Sequence, residues 1–171
     1  MRLFIAINFS TETRSHLIAL RDELRVKSER GNFSAQENLH LTLAFLGECD
    51  DKQSAYAKAA MEASGFEPFP VYIDRIGRFK RDSGEIWWAG LQESKPLMKL
   101  QQGLADKLAV SGFSLERRKF SPHVTLGREI ATVAKPWDVK PFGENVSAID
   151  LMKSERIRGK LTYTSIFRRG K

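Results

Sequence analysis

The chain has 171 residues, of which 42% are hydrophobic and 29% charged, a composition that supports one folded globular unit with a buried core. Its 28 Lys and Arg residues outweigh 21 Asp and Glu residues, and the net charge of +7 favours an anionic partner such as RNA without settling the function. No apolar run approaches the ~20 residues that span a bilayer, and Cys49 is the single cysteine, so we expect a cytoplasmic protein with neither a disulfide nor a membrane partner.

The first half of the chain alternates between strand and helix patterns. Alternating apolar residues predict a strand over residues 2–9, and residues 10–25 carry leucines at spacings typical of an amphipathic helix. A polar loop at residues 31–38 leads into a second apolar strand at residues 40–47. The next segment, 51–64, predicts a helix whose inward face comprises Tyr56, Ala59, Ala60 and Ala63.

The second half adds strand patterns around one further helix. Residues 70–79 and 84–91 flank a turn-forming segment, which is typical of a hairpin. Leucines spaced by three and four residues from Leu97 to Leu108 predict a helix that ends at Gly112. The remaining segments are a strand at 123–128, a proline-containing loop at 132–142, and closing strands at 145–154 and 160–169. Helices interspersed with antiparallel strands place the chain in the α+β class.

The pattern His-x-Thr-Leu occurs twice, as HLTL at residues 40–43 and as HVTL at residues 123–126, and it uses two of the three histidines. Because alternate side chains of a strand share a face, each His lies on the same side as its Thr, and the intervening apolar residues, through Phe45 in the first copy, face the core. One such pair alone is commonly structural. Its repetition at the same spacing predicts two matched strands that face each other across a cleft.

Two imidazoles and two hydroxyls on opposite sides of a cleft suit phosphodiester cleavage without a metal. One imidazole takes a proton from the attacking oxygen and the other protonates the leaving oxygen, and an ordinary His pKa of about 6.5 allows both forms near neutral pH. The hydroxyls would bind the nonbridging oxygens. A metal site is disfavoured because neither motif contains an acidic residue and His16 lies on a predicted helix, so we expect no cofactor.

The segments RLFIAINF, HLTLAFLG and SPHVTLGR resemble the two-histidine phosphoesterase superfamily, and more narrowly its bacterial RNA 2′,3′-cyclic phosphodiesterases, also called the 2′-5′ RNA ligase family. The likeness implies one bilobal domain over residues 1–171, with two pseudo-symmetric lobes whose antiparallel sheets line a central cleft and whose helices pack outside. It implies hydrolysis of RNA 2′,3′-cyclic phosphate ends to 2′-phosphomonoesters, with reversible 2′-5′ ligation. In this reaction His40 is the general acid, His123 is the general base, and Thr42 and Thr125 bind the phosphate.

Basic and aromatic residues near the motifs are further candidates for substrate binding. Arg128 closes the second motif, where a fixed cation would bind phosphate, although strict alternation places it on the face opposite His123. Arg118, together with Arg117 and Lys119, would guide the RNA backbone toward the cleft. The aromatic candidates for stacking on a base are Phe45, Trp87 and Trp88.

Two other functions remain open at the level of the sequence. One is an RNA-end-binding module without turnover, which the positive charge supports equally well. The other is the same chemistry on a different cyclic-phosphate nucleotide. The intact His and Thr pairs favour the enzyme, and we expect it to act as a monomer on an RNA with a 2′,3′-cyclic phosphate end or on a small cyclic-phosphate nucleotide.

Overall fold

The computed structural model describes residues 1–116 and 118–170, so Arg117 lies outside the described residues. A short 3-10 helix at Gln36–Asn38 precedes the first motif. The strands are β1 (Arg2–Asn8), β2 (Ser28–Phe33), β3 (His40–Glu48), β4 (Phe69–Phe79), β5 (Glu85–Leu91), β6 (His123–Thr132), β7 (Trp137–Val146), β8 (Ala148–Ile157) and β9 (Lys160–Gly170). The α-helices are α1 (Thr11–Val26), α2 (Asp51–Ala63) and α3 (Lys95–Val110).

The strands form one nine-stranded antiparallel sheet in the order β7-β4-β5-β6-β3-β1-β8-β9, and β2 pairs with β6 outside this path. The two motif strands, β3 and β6, are neighbours at the centre, and each has its own half of the sheet beyond it. Their register consists of one pair, Leu41 with Val124, which are the residues that follow the two motif histidines. The α+β class is therefore confirmed, with the antiparallel strands of the two halves meeting at the motifs.

The two faces of the sheet differ in what covers them. Alternate residues of the strands, including Leu41 and Val124, join one large core with the leucine stripes of α1 and α3. On the other face Phe4, Ala6 and Met152 form a small separate cluster, against which Tyr163 packs. We call this second surface the site face, because His40 contacts Phe4 there with a ring-centroid distance of 4.9 Å.

The helices begin and bury their faces largely as the sequence predicts. Ser10 caps α1 by accepting a hydrogen bond from the backbone N–H of Thr13, and the predicted leucine stripes of α1 and α3 are buried. The predicted inward face of α2 is confirmed at Ala60 and wrong at Tyr56, which is 41% exposed, and at Ala59 and Ala63, which are also exposed. Alanines occur on both sides of this helix, so the sequence pattern does not distinguish the buried side from the adjacent one. The residues that α2 buries are Ser54, Ala57, Ala60 and Met61.

Parts of two segments that the sequence predicts as loops belong to strands. Part of the predicted loop 31–38 belongs to β2, and part of the predicted loop 132–142 belongs to β7. Both strands are short of buried apolar residues, and β7 contains Pro141, which cannot donate a hydrogen bond to a ladder. Because β7 is the last strand at one edge of the sheet, it tolerates proline and polar residues that a central strand would exclude.

The pairing of β7 with β4 can be tested at Gly143, which lies opposite Tyr72 in the register. A Cβ at Gly143 would collide with the backbone oxygen of Val71 and lie 2.9 Å from the Cα of Tyr72. We expect Gly143→Ala to lower the free energy of unfolding by about 1–3 kcal/mol in urea denaturation, because the two strands must move apart.

Gly65→Ala is the matched control, since a Cβ at Gly65 would have no heavy atom within 4 Å. This variant should stay within about 0.5 kcal/mol of the unmodified chain. Equal stabilities of the two variants would contradict the close packing of β7 on β4.

Candidate active site

The strand register sets the four motif side chains at the corners of a square. The pair that joins β3 to β6 consists of the residues next to the two histidines. Extended by one residue in either direction, this antiparallel register sets His40 opposite Thr125 and Thr42 opposite His123. The two histidines therefore occupy diagonal corners, for which the usual Cα separation is about 7–8 Å. Side chains on these corners can approach one phosphoryl group from two sides.

The two imidazoles are held in the same way. The Nδ1 atom of His40 lies 2.7 Å from the carbonyl oxygen of Asn38, and the Nδ1 atom of His123 lies 2.7 Å from the carbonyl oxygen of Ser121. Because a carbonyl oxygen only accepts, Nδ1 of each ring must carry the hydrogen. The Nε2 atom of each ring is therefore the one that can give or take a proton.

The two threonines differ in their hydrogen bonds. Thr42 Oγ1 lies 2.8 Å from Nε2 of His40, and with the Nδ1 hydrogen fixed, the Thr42 hydroxyl donates this bond to the neutral ring. Thr125 pairs in the register with Trp88 of β5 and lies across the square from His40. The His and Thr of the first motif are thus hydrogen-bonded to each other within β3.

Aromatic rings enclose His40. Phe4 of β1 packs against it at a tilt of 33°, and Tyr163 of β9 meets it nearly at a right angle, with ring centroids 4.9 and 5.3 Å away. Phe4 and Tyr163 also contact each other, at 4.9 Å. These rings exclude water from the imidazole, and burial is the largest reason why the pKa of His40 lies below its usual value. Its bond to the Asn38 carbonyl acts in the opposite direction.

A similar wall encloses His123. Phe79 of β4 meets the ring at 89° and 5.4 Å, and Trp88 of β5 packs at 6.1 Å. The Trp88 indole packs closely against glycines, since a Cβ at Gly90 would be 2.9 Å from its Cζ3 atom and a Cβ at Gly77 would overlap the ring. Burial is again the largest cause of the lowered pKa of His123, opposed by its bond to Ser121.

A bulge brings Arg128 onto the site face, contrary to strict alternation along β6. Trp88 of β5 pairs with Thr125, whereas the adjacent Trp87 pairs with Gly127, so β6 has one extra residue at this point. The extra residue turns Gly127 toward the core and Arg128 toward the site face. Glu129, which follows, has a positive φ of 53°.

The charge of Arg128 acts on several groups of the site. It contributes to the lowered pKa of both His40 and His123, and it also opposes the effect of burial, which raises the pKa of the Tyr163 hydroxyl. The charges of His123 and Arg128 both disfavour a proton on His40. An anion bound between these groups would reverse that effect.

The other predicted binding residues lie in different positions. Arg118 is in the loop before β6, where its exposed side chain forms an ion pair with Glu116 at 3.0 Å. Its role in guiding the RNA backbone toward the cleft stays a prediction. Trp87 is fully buried and cannot stack on a base, so that candidate is wrong. Trp88 is partly buried beside His123, and its role in stacking stays a prediction.

Phe45 lies on the site face rather than in the core, where alternation placed it. It pairs with Phe4, while Ala6, two residues further along β1, pairs with Thr42, so β3 also contains one extra residue. Its ring is 61% exposed and lies 6.3 Å from the Phe4 ring. Phe45 therefore remains a candidate for stacking on a base.

Phe4 and Phe79 lie beside the two imidazoles, although neither was predicted as a site residue. Phe4 lies in an apolar run in which every second residue looks equally suited to a core, and Phe79 is at a strand end. The sequence offers one indication for Phe4. Strict alternation along β1 places Phe4 on the face opposite Leu3 and Ile5, which are in the core. No helix in the described part of the chain has the length and apolar character needed to cross a membrane.

Comparison with known proteins agrees with this geometry. A family model described as the 2′-5′ RNA ligase superfamily matches residues 11–156. The RNA 2′,3′-cyclic phosphodiesterase of Thermotoga maritima is 35% identical over 131 residues, covering 75% of this chain and 70% of that protein. The protein of the same name from Escherichia coli K12 is 34% identical over 173 residues, covering 98% of this chain and 94% of that one.

Solved structures give the same relationship. The crystal structure of Escherichia coli LigT complexed with 3′-AMP has a TM-score of 0.86 and 29% identity, and the match covers 99% of this chain and 97% of that one. A second crystal structure, described as a phosphoesterase, also has a TM-score of 0.86, at 30% identity and the same coverage. An α+β fold with a repeated His-x-Thr pair at the centre of its sheet defines the class of two-histidine phosphoesterases. Within that class, the chain belongs to the 2′-5′ RNA ligase superfamily.

The electrostatic position of Arg128 can be tested by titrating the imidazoles. Arg128→Gln removes a positive charge that lowers the pKa of both His40 and His123, so both pKa values should rise. NMR titration of the imidazole C–H resonances measures this. Arg118→Gln is the control, because its side chain is 78% exposed and paired with Glu116, and it should leave both titrations unchanged. Unshifted titrations in Arg128→Gln would show that this arginine is not at the site.

Proposed function

We propose that this chain hydrolyses 2′,3′-cyclic phosphate ends of RNA in the cytoplasm to 2′-phosphomonoesters, by general acid and base catalysis from His40 and His123. The observation that carries the proposal is the diagonal pair of imidazoles, each with Nδ1 bonded to a carbonyl oxygen at 2.7 Å, so that Nε2 is the nitrogen that exchanges a proton. The names of the bacterial relatives support the substrate.

The reaction needs a base and an acid on opposite sides of the phosphorus atom. In the proposed step Nε2 of His123 takes a proton from water as the water oxygen bonds to phosphorus. The bond from phosphorus to the 3′ oxygen breaks, and Nε2 of His40 gives its proton to that oxygen. The 2′ oxygen keeps the phosphate. Diagonal corners suit this in-line displacement better than adjacent corners would, because the attacking and leaving oxygens lie opposite each other.

Protonation of His40 would prepare Thr42 to bind the phosphate. With a neutral ring the Thr42 hydroxyl donates to Nε2 of His40 across 2.8 Å, so its hydrogen is occupied. A protonated ring donates through Nε2 to the Thr42 oxygen until that proton passes to the 3′ oxygen, and the hydroxyl meanwhile turns its own hydrogen toward a nonbridging oxygen. The negative charge of the substrate favours this protonation, since it offsets the charge of Arg128. Thr125 would bind a second oxygen from the other strand.

Arg128 completes the proposed phosphate site, because its cationic charge stabilises the negative charge that develops on the nonbridging oxygens. A 5′-hydroxyl in place of water would run the same chemistry in the direction of 2′-5′ ligation. We expect the chain to form a single domain over residues 1–171 and to act as a monomer. Arg118 would contact RNA backbone outside the four-residue square.

The acid and base roles predict large losses of turnover. His40→Ala and His123→Ala should each lower the hydrolysis of a 2′,3′-cyclic nucleotide by about 10²–10⁴-fold, measured in excess EDTA. His16→Ala is the control, because that histidine stacks on Phe142 of β7, away from the motifs, and full activity is expected.

Undiminished turnover in both motif variants would refute the proposal. If the unmodified chain binds cyclic and linear RNA ends equally and converts neither, it is a binding module. Faster turnover of another cyclic-phosphate nucleotide, in direct competition, would instead assign a different substrate.

The separate roles of the two histidines can be distinguished with a modified leaving group. Sulfur in place of the 3′ oxygen leaves without a proton, so it removes the need for a general acid but not for a base. We expect this substrate to restore most of the lost rate to His40→Ala and little of it to His123→Ala. Rescue of His123→Ala instead would make His123 the acid and His40 the base. Chromatography that separates the 2′-phosphate from the 3′-phosphate product shows which phosphorus–oxygen bond breaks.

A further inference from the structure

A polar cluster of Asn8, Asp150, Ser165 and Arg168 lies on the site face beyond His40. Asp150 is 2% exposed, and its carboxylate accepts hydrogen bonds from the Ser165 hydroxyl at 2.8 Å and from the Asn8 amide nitrogen at 3.1 Å. The Arg168 guanidinium forms an ion pair with the same carboxylate at 3.6 Å. The proposed acid and base steps use none of these groups.

The strand register connects this cluster to the catalytic square. Asn8 of β1 lies directly opposite His40 of β3, and Asp150 of β8 lies opposite Ala6 of β1. Arg168 of β9 lies opposite Asp150. The cluster therefore extends across the half of the sheet that carries His40, starting from the residue beside it. His123 belongs to the other half.

A third bulge places Arg168 on the site face. Ser165 pairs with Met152, whereas Phe167 pairs with Leu151, so β9 contains one extra residue between them. In an unbroken strand, residues 165 and 168 would point to opposite faces, because their numbers differ by an odd count. The extra residue brings both side chains to the carboxylate of Asp150.

The ion pair holds the guanidinium without using all of its donors. A buried carboxylate is costly unless hydrogen bonds and a cation satisfy it, and Asp150 has both. The Arg168 side chain is nevertheless 64% exposed, and a guanidinium has five N–H groups. Its remaining donors face solvent in a fixed position, which suits the planar recognition of a phosphate.

We propose that Arg168, positioned by Asp150, binds the RNA phosphodiester that precedes the terminal nucleotide. The inference rests on the proposed function, in which His40 protonates the 3′ oxygen of the terminal nucleoside. That nucleoside, and the RNA attached to its 5′ side, then lie on the half of the sheet formed by β1, β8 and β9. A cyclic mononucleotide has no such phosphodiester. Arg168 would therefore raise kcat/KM for RNA ends relative to free cyclic mononucleotides.

The test compares two substrates in Arg168→Gln and Arg169→Gln. Arg169 is the matched control, because it is the next residue on β9, pairs with Ile149, and faces away from the site face. We measure the ratio of kcat/KM for a short RNA ending in a 2′,3′-cyclic phosphate to kcat/KM for a 2′,3′-cyclic mononucleotide. The ratio should fall about tenfold in Arg168→Gln and stay constant in Arg169→Gln. The slope of log affinity for the RNA against log salt should decrease by about 1 in magnitude for Arg168→Gln alone.

A second variant separates phosphate binding from folding. Arg168→Gln leaves the buried Asp150 carboxylate without its cation, so the double variant Asp150→Asn/Arg168→Gln removes both charges, and thermal unfolding checks its stability. The substrate ratio should remain low in this double variant. A ratio equal to that of the unmodified chain would overturn the proposal, as would equal losses in Arg168→Gln and Arg169→Gln.

A binding measurement keeps this inference separate from the proposed function. The affinity for a short RNA ending in a 2′-phosphate, followed by fluorescence anisotropy, does not depend on turnover and should fall about tenfold in Arg168→Gln. If the unmodified chain converts neither substrate while this affinity difference is observed, the proposed function fails and the role of Arg168 stands. If Arg168→Gln instead binds this RNA as tightly as the unmodified chain, and the unmodified chain converts both substrates, the role of Arg168 is wrong and the proposed function stands.

Discussion

One backbone pairing, Leu41 with Val124, fixes the geometry on which the site depends. Both side chains are fully buried in the core, so the residues on either side of them must point to the opposite face. The pairing therefore sets which His stands across from which Thr. A slip of one residue in this register would send all four polar side chains into the core, and the cost of burying them makes the register specific.

Much of the site could be predicted from the sequence because its central motif obeys strict alternation. The period of two places His40 with Thr42 and His123 with Thr125, and the leucine stripes of α1 and α3 follow an equally regular helical period. Alternation fails wherever a strand gains a residue. Bulges in β3, β6 and β9 bring Phe45, Arg128 and Arg168 to the site face. A single sequence does not show where such residues are inserted, since a bulge depends on the partner strand.

The edges of the sheet were hidden from sequence reasoning for a different physical reason. The edge strand β7 has little apolar surface to bury, and β2, which pairs only along part of β6, is mostly exposed. Their polar composition is what protects an exposed strand from pairing with other chains, and it is also what a loop looks like. The aromatic residues around the histidines are hard to predict for the opposite reason, because they look like core residues. Phe4 has the composition of a core residue, yet it faces the site and keeps water from His40.

Helix α3 has a mechanical consequence that follows from where it packs. It contacts β3 in one half of the sheet and β4 in the other, and Gln101 donates a hydrogen bond to the Leu43 carbonyl across 3.2 Å. Within each half, continuous ladders resist any rotation of one strand against the next. Between the halves, the described strands β3 and β6 share only the pair of Leu41 with Val124. Helix α3 is therefore a second connection between the two halves, and its packing on both of them helps to set the separation of the strands that carry the two proton-transfer nitrogens.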